Sequence, residues 1–342
     1  MLPLVSKVWR GLLGGTSSAW EIVSIDANVD FRDGVVQLDT VGMSLWFCRH
    51  AGSIRTLRVV GYLPMLSFSM LSSILMSQSA SLRDLHISFE NNLIAPAELA
   101  VLATLTALER LSIFLPYHRR DKNVWMDDGG SVLLRVISSL PALVFLEFNE
   151  DQDIGCTLVS SLSTLAKLQS STLTSFYINY CNLPHESVLT LGDLPRLITF
   201  EIELVTYNNE ALHVPEDAFE GVLSLAELAI SCSSSMLLLA PTCLGKLTML
   251  TVLGLRYCSL QVVPEALLGV KASLRQLDLS CNPDLQISQA GFDTLLALPS
   301  LKVIDLRKDA VSWDVDSSRF LVSYLSVRHG MYPGSVQPTL HV

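Results

Sequence analysis

The sequence predicts an α/β solenoid, in which short parallel strands alternate with return limbs and each unit packs on the next. Three observations favour this fold: a leucine spacing that recurs along the chain, a hydrophobic content of 50% and a charged fraction of only 16%. One unit cannot bury its own apolar face, so it needs neighbours. We expect one horseshoe-shaped domain of about ten repeats with a helical cap at each end.

The clearest unit is the segment 249–270, MLTVLGLRYCSLQVVPEALLGV. Leu253 and Leu255 alternate as the inward residues of a short strand do. Cys258 follows at the turn, where it can satisfy backbone groups, and Leu260 and Leu267 return to the same core. The spacing L-x-x-L-x-L-x-x-C-x-L resembles that of the leucine-rich repeat.

This spacing predicts ten repeat strands between residues 53 and 310, at intervals of 24 to 35 residues. The first apolar position of each strand is Ile54, Leu82, Leu108, Leu143, Leu173, Leu197, Leu225, Leu250, Leu274 or Leu301. Long intervals leave room for α-helices, which the apolar spacing predicts at 99–105, 132–140 and 158–168. The uncharged window 59–81 is long enough for a membrane span, but its serines favour a strand followed by a buried helix.

Two segments outside the repeats complete the predicted domain organisation. Residues 30–52 are interpreted as an N-terminal capping segment, ending in a helix whose Leu45, Trp46 and Cys48 can reach the core. Residues 311–342 are interpreted as a C-terminal cap and a loose tail. The polar run at 115–130, with Trp125, predicts a protruding loop that either binds a partner or covers a neighbouring repeat.

The first residues carry a second resemblance. Val5, Trp9 and Arg10 form a V-x-x-x-W-R pattern that is followed by Trp20. Residues 1–29 thus resemble the second half of an F-box, a helical module whose first half is missing here. The resemblance, to F-box/leucine-rich-repeat proteins of the plant and algal sort, implies that Val5 and Trp9 contact the adaptor of an SCF-type cullin-RING ubiquitin ligase. The alternative is that this segment only caps the first repeat.

The composition and the motifs exclude several classes of function. Thirteen acids against Lys167 and Arg196 make the segment 142–230 strongly acidic, which disfavours a nucleic-acid-binding protein. The chain has no nucleotide-binding, hydrolase or metalloprotease motif, so we predict no catalytic residue, no metal and no cofactor. Its seven cysteines include no C-x-x-C pair, which indicates reduced packing thiols in a cytoplasmic or nuclear protein.

A partner-binding surface is predicted on the concave face of the sheet, where residues between the inward leucines point away from the core. Its charge is expected to be basic in the first repeats, acidic in the middle and basic again near the end. The residues predicted to bind a protein partner are Arg58, His86, Arg110, Glu147, Tyr177, Tyr180, Glu201, Glu203, Arg256, Tyr257, Asp278 and Arg307. These side chains could also be ordinary hydrophilic cover on a strand face.

Together these features predict a non-enzymatic interaction protein that binds no membrane. With the F-box resemblance, they favour a substrate-recognition subunit of a ubiquitin ligase that holds its target on the concave face. Two alternatives lack a ubiquitin role: an intracellular scaffold or signalling sensor, and a repeat protein of the cytoskeleton or axoneme.

Overall fold

A computed structural model describes residues 22–26, 47–50, 52–60, 68–88, 100–115, 129–150, 162–181, 187–204, 211–233, 236–306 and 339–341 of the chain. Over these residues the fold is the predicted α/β leucine-rich-repeat solenoid. Twelve described strands form one parallel sheet, and three others form a second parallel sheet on the return limbs.

The strands are numbered in chain order. The main sheet contains β1 (Ile22–Asp26), β2 (Thr56–Val60), β3 (Asp84–Ser88), β4 (Arg110–Leu115), β5 (Phe145–Glu150), β6 (Ser175–Cys181), β8 (Thr199–Leu204), β10 (Glu227–Cys232), β12 (Val252–Arg256), β13 (Gln276–Asp278), β14 (Val303–Asp305) and β15 (Thr339–His341). The second sheet contains β7 (Ser187–Val188), β9 (Ala211–Val214) and β11 (Met236–Leu239), which sequence analysis did not predict.

The return limbs carry three α-helices and three 3₁₀ helices in the described residues. These are α1 (Phe68–Ser77), α2 (Gly129–Ser138), α3 (Gln289–Leu296), and the 3₁₀ helices η1 (Ala100–Thr104), η2 (Leu162–Lys167) and η3 (Glu265–Val270). The helix predicted within 59–81 is confirmed as α1, and α2 confirms the helix predicted at 132–140. The predicted α-helices at 99–105 and 158–168 are wrong in type, because η1 and η2 have only five and six residues and adopt the tighter 3₁₀ form.

The core is a set of leucine columns that run through the sheet. All ten residues predicted to open the repeat strands are buried, with exposed fractions of 0% for nine of them and 3% for Leu301. Burying one such side chain contributes about 1.5–3 kcal/mol. Three phenylalanines, Phe148, Phe176 and Phe200, stack along the middle strands, with ring centroids 6.1 and 5.5 Å apart. These buried columns are those of a leucine-rich-repeat solenoid.

A buried side-chain amide and a buried thiol make hydrogen bonds to backbone groups at the turn after β12. The Cys258 thiol lies 3.3 Å from the Ile230 carbonyl oxygen, as the predicted role of Cys258 requires. Asn282 accepts from the amides of Cys258 and Leu260 at 2.9 and 3.2 Å. Its own amide nitrogen lies 2.8 Å from the carbonyl oxygen of Leu255. Asn282 is only 1% exposed, so it supplies partners to backbone groups that water cannot reach.

Both ends of the chain differ from the prediction. The segment 1–29 was expected to be helical, yet Ile22–Asp26 forms β1 and pairs in register with β2. The tail was expected to be loose, yet Thr339–His341 forms β15 and pairs with β14. The edge of a parallel sheet presents unpaired backbone groups, and an added strand satisfies them. The described residues of 1–29 and 311–342 are therefore strands, and the remaining residues of these two segments lie outside the described ranges.

The N-terminal capping segment is described only in part. Residues 47–49 are helical and Gly52 has a φ of +90°, which agrees with a helix that ends at glycine. Phe47 is fully buried, whereas Cys48, predicted to face the core, is exposed. The predicted loop at 115–130 lies largely outside the described residues.

A column of glycines lets adjacent return limbs approach each other. A Cβ atom at Gly221 would lie 2.2 Å from the Gly192 carbonyl oxygen, and one at Gly192 would lie 1.9 Å from the Leu168 carbonyl oxygen. The Leu194 amide also donates to the Gly221 carbonyl at 2.9 Å. These positions therefore have no room for any side chain, because the colliding atoms belong to the backbone.

We expect Gly221→Ala to destabilise the protein by about 1–3 kcal/mol, the usual cost of overpacking. Gly254→Ala is the matched control, since its Cβ would meet only Ala229 Cβ at 3.5 Å, an ordinary contact. Thermal unfolding of both variants measures the difference. Equal unfolding midpoints for the two variants would contradict this prediction, because they would show that the return limbs can move apart at Gly221 without loss of stability.

Candidate functional site

The sheet face opposite the leucine core carries three rows of side chains. The central row and the row two residues before it are in register from β2 to β14. The third row, two residues after the central row, includes Glu203 and is interrupted where the register between β6 and β8 shifts. The central row contains Arg58, His86, Ser112, Glu147, Tyr177, Glu201, Ala229, Gly254, Asp278 and Asp305. Sequence analysis predicted that these residues share a row, because each lies between the last two inward apolar positions of its strand. The structure confirms the row and brings Glu147, Tyr177 and Glu201 together on consecutive strands.

One flanking row was not anticipated as a whole. It lies two residues before the central row and contains Thr56, Asp84, Arg110, Phe145, Ser175, Thr199, Glu227, Val252, Gln276 and Val303. The period of two in a strand places these residues on the same face, so the repeat spacing could have identified them. Phe145 is the important omission, since it connects the first repeats to the middle of the face.

The first repeats present fewer uncompensated cations than predicted. Arg83 forms an ion pair with Glu109, and the Arg110 guanidinium lies 4.0 Å from the centroid of the Phe145 ring. A guanidinium over an aromatic face is attracted by the electrons of the ring. Within the predicted basic zone, the charge of Arg83 is therefore compensated by Glu109, while Arg110 keeps its charge on the Phe145 ring and Arg58 is exposed.

His86 lies half-buried in the row between Arg58 and Ser112. Burial lowers the pKa of the imidazole and the charge of Arg58 lowers it further, while Glu147 and Asp84 act in the opposite direction. At neutral pH this favours the uncharged imidazole. His86 thus contributes a hydrogen-bonding ring to the surface rather than a positive charge.

The middle of the face combines carboxylates with aromatic rings. The Phe145 and Tyr177 rings lie 5.3 Å apart between centroids, tilted by 34°. The Ser112 hydroxyl donates to Glu147 at 2.8 Å, and the Thr199 hydroxyl donates to Glu227 at 3.4 Å. Burial raises the pKa of Tyr177, and the nearby carboxylates of Glu201 and Glu227 add to the effect.

Glu203 continues this acidic zone on β8, in register with Ser231. Burial raises the pKa of its carboxyl group, and the charge of Glu201 raises it further. Glu201 and Glu203 lie two residues apart on one strand, so their side chains share a face. The acidic middle predicted from the sequence is therefore present on the described strands.

Of the four remaining predicted site residues near the end of the repeats, two form a pair. Arg256 donates to Asp278 across adjacent strands, and that hydrogen bond raises the pKa of the guanidinium. Tyr257 lies on the turn after β12 with a φ of 53° and is 46% exposed, so it borders the face rather than lying in a row. Arg307 lies outside the described residues.

Three other predicted contacts cannot be placed on the face. Tyr180 belongs to β6, but the register with β8 shifts between Ile178 and Cys181, and its side chain is outside the described set. Val5 and Trp9, the predicted adaptor contacts, also precede the described residues.

The described residues contain no group of three or more His, Cys, Asp or Glu side chains that could hold a metal ion. Burial raises the pKa of the Cys243 thiol to about 12 and that of the Cys258 thiol well above its usual range, so both thiols stay protonated. A cleft of about 260 Å³ lies beside the segments leading into β5, β6 and β8. Small-molecule sites are usually larger, at about 300–1,000 Å³. No helix in the described ranges is long and apolar enough to cross a bilayer.

No protein-family model and no curated protein matches the chain. Among solved structures, the chain is similar to an internalin from Listeria monocytogenes, with 14% identity, a TM-score of 0.43, and coverage of 90% of this chain and 89% of the other. It is also similar to a leucine-rich-repeat protein from Leptospira interrogans, with 18% identity, a TM-score of 0.36, and coverage of 75% and 73%. Both similarities are remote, so the fold assignment depends on the strand register and the periodic core of the chain itself.

We expect Glu203→Gln to stabilise the protein at pH 7, because it removes a carboxylate that is partly desolvated and repelled by Glu201. A folded-state pKa above the unfolded value means that the folded protein binds the extra proton, so Glu203 costs stability at neutral pH and the cost falls as the pH falls. The unfolding midpoint of Glu203→Gln should therefore exceed that of the wild type at pH 7 and approach it near pH 4. Glu216→Gln, at an exposed position on a return limb, is the control and should leave the unfolding midpoint unchanged at both pH values. A pH-independent gain would contradict the electrostatic cause.

Proposed function

We propose that this chain acts by binding, without chemistry of its own, and that the sheet face opposite the core holds a protein partner. The supporting observation is the central row of mostly polar and aromatic side chains, which stays in register from β2 to β14. From Arg58 to Asp278 the row crosses eight strand spacings, a length of roughly 38 Å at about 4.8 Å each. Three rows span about 13 Å along the strands.

These dimensions favour a macromolecular partner over a small ligand. The strip covers roughly 500 Å² before side chains add to it, which approaches the ~800 Å² that one partner buries in a standard protein–protein interface. Its composition also fits, because tyrosine and arginine are enriched at interfaces. An unused strand face needs only scattered hydrophilic cover, whereas this one has segregated charge and a stacked aromatic pair.

For the assembly that uses this surface, we propose the substrate-recognition role in an SCF-type cullin-RING ubiquitin ligase, in the cytoplasm or nucleus. The support is the F-box resemblance of residues 1–29, with Val5 and Trp9 as adaptor contacts. Holding a target beside the transfer machinery raises its effective concentration, which is the whole contribution of such a subunit.

A scaffold or signalling sensor without a ubiquitin role is the second candidate. One observation favours it: Ile22–Asp26, within the F-box-like segment, pairs with β2 over its full length as an edge strand of the sheet. In this case residues 1–29 serve only to cover the first repeat.

The sheet-face proposal is tested with the triple variant Tyr177→Ala/Glu201→Lys/Glu203→Lys. We expect recovery of partner proteins by the tagged chain to fall at least about ten-fold, equivalent to ~1.4 kcal/mol. Glu216→Lys/Glu220→Lys makes the same charge change on an exposed return limb and should leave recovery within about two-fold. Thermal unfolding checks that both variants are folded. Undiminished recovery with the triple variant would refute binding on this face.

The ligase proposal is tested by measuring the affinity of the purified cullin adaptor for the chain. Wild type is expected to bind, and Trp9→Ala to weaken binding at least about ten-fold, because tryptophan is a frequent hot spot. The sheet-face triple variant is the control and should bind the adaptor normally. Absence of adaptor binding by the wild type favours the scaffold.

A further inference from the structure

Five residues in the middle of the sheet face form what we call the acidic–aromatic patch: Glu147, Tyr177, Glu201, Glu203 and Glu227. Glu147, Tyr177 and Glu201 are direct neighbours in register on β5, β6 and β8. Glu203 lies two residues further along β8, and Glu227 lies on β10 opposite Thr199. Adjacent strands are about 4.8 Å apart, so Glu147 and Glu201 flank Tyr177, while Glu227 lies two strands away. The charges of Glu201, Glu227 and Glu147 all act on the Tyr177 hydroxyl and raise its pKa, after burial.

The cations that border this patch are already engaged within the chain. Arg110 lies over the Phe145 ring on one side, and Arg256 is paired with Asp278 on the other. Within the patch, the described hydrogen bonds to carboxylates come from the neutral hydroxyls of Ser112 and Thr199. The patch therefore has a negative charge that the neighbouring arginines do not fully neutralise.

The surface beside the patch has one position where another chain can approach closely. The central row continues from Glu201 to Ala229, a small residue that is only partly buried. Gly254 follows Ala229 in register but is itself buried, so it does not extend this surface. A small residue within a strand permits a close approach of another backbone.

We propose that the acidic–aromatic patch binds a segment of a protein partner that carries two or more arginine or lysine side chains. One cation lies between the carboxylates of Glu201 and Glu203, and its apolar stem or guanidinium plane lies against Tyr177, while the segment's backbone runs over Ala229. This inference depends on the proposed function, and it adds the chemistry of the partner.

The chain already shows that this surface accommodates such a group. Arg110 stacks on Phe145, whose ring contacts Tyr177, so the same aromatic pair holds a guanidinium from within the chain. Carboxylates beside an aromatic ring give an arginine both charge-assisted hydrogen bonds and stacking. A bound divalent cation fits less well, because it needs several oxygens within about 2.6 Å, and no described cluster of ligands is tight enough.

The experiment selects binders from a displayed library of random twelve-residue peptides, with the full chain as bait. Enriched peptides are synthesised and their affinities are measured for wild type, Glu201→Gln/Glu203→Gln and Tyr177→Ala. Glu216→Gln/Glu220→Gln is the matched control, since it removes the same charge from a return limb. Spermidine is the competitor that tests for a simple polycation, and thermal unfolding confirms that each variant is folded.

We expect the enriched peptides to carry at least two arginines or lysines. They should bind the patch double variant at least about ten-fold more weakly than wild type and the control within about two-fold. Equal weakening by both double variants would overturn the inference, because only net charge would matter. Competition by spermidine as strong as that by free peptide would also overturn it.

The outcomes separate this inference from the proposed function. In one outcome, the peptides lack basic residues, bind Tyr177→Ala more weakly and bind Glu201→Gln/Glu203→Gln as tightly as wild type. This outcome would overturn the inference but would still support partner binding on the sheet face. Peptides whose affinity no face variant alters would overturn both.

Discussion

The in-register stacking of parallel strands is the constraint on which the rest of this molecule depends. Each strand pairs with the next repeat's strand, so the residues that open the repeats fall into one buried column from Ile54 to Leu301. Side chains alternate with a period of two, so a slip of one residue would move every leucine to the open face and every charge into the core. Hydrophobic burial thus fixes the register, and the register then fixes which polar residues become neighbours.

Close contact between repeats also determines what the return limbs can contain. Gly192 and Gly221 have backbone from the neighbouring limb where a side chain would be, and Asn282 supplies partners to amides and carbonyls of two repeats. These residues do not contribute apolar area. They are required because the limbs lie too close together to leave room for a side chain or a water molecule. An unpaired buried backbone group costs about 1–3 kcal/mol.

The sequence was sufficient to predict the strands, the buried columns and the central row of the open face, because all three follow from one spacing. It did not predict β1 and β15, since edge strands pair on one side only and do not need the full leucine pattern. The 3₁₀ form of η1 and η2 was missed because apolar spacing over so short a segment does not distinguish a 3₁₀ helix from an α-helix. The pairing of Arg256 with Asp278, and of Arg83 with Glu109, depends on which side chains meet across repeats more than twenty residues apart.

The acidic middle of the face is difficult to explain as a stabilising feature. Burial raises the pKa of Glu203 and the charge of Glu201 on the same strand raises it further, so this carboxylate costs stability at neutral pH. The chain has arginines nearby, yet Arg110 is stacked on Phe145 and Arg256 is paired with Asp278. Functional sites commonly break a local rule of stability in this way. The repulsion among these carboxylates would be relieved when a partner supplies the missing positive charge, so part of the binding free energy is available before any new apolar contact forms.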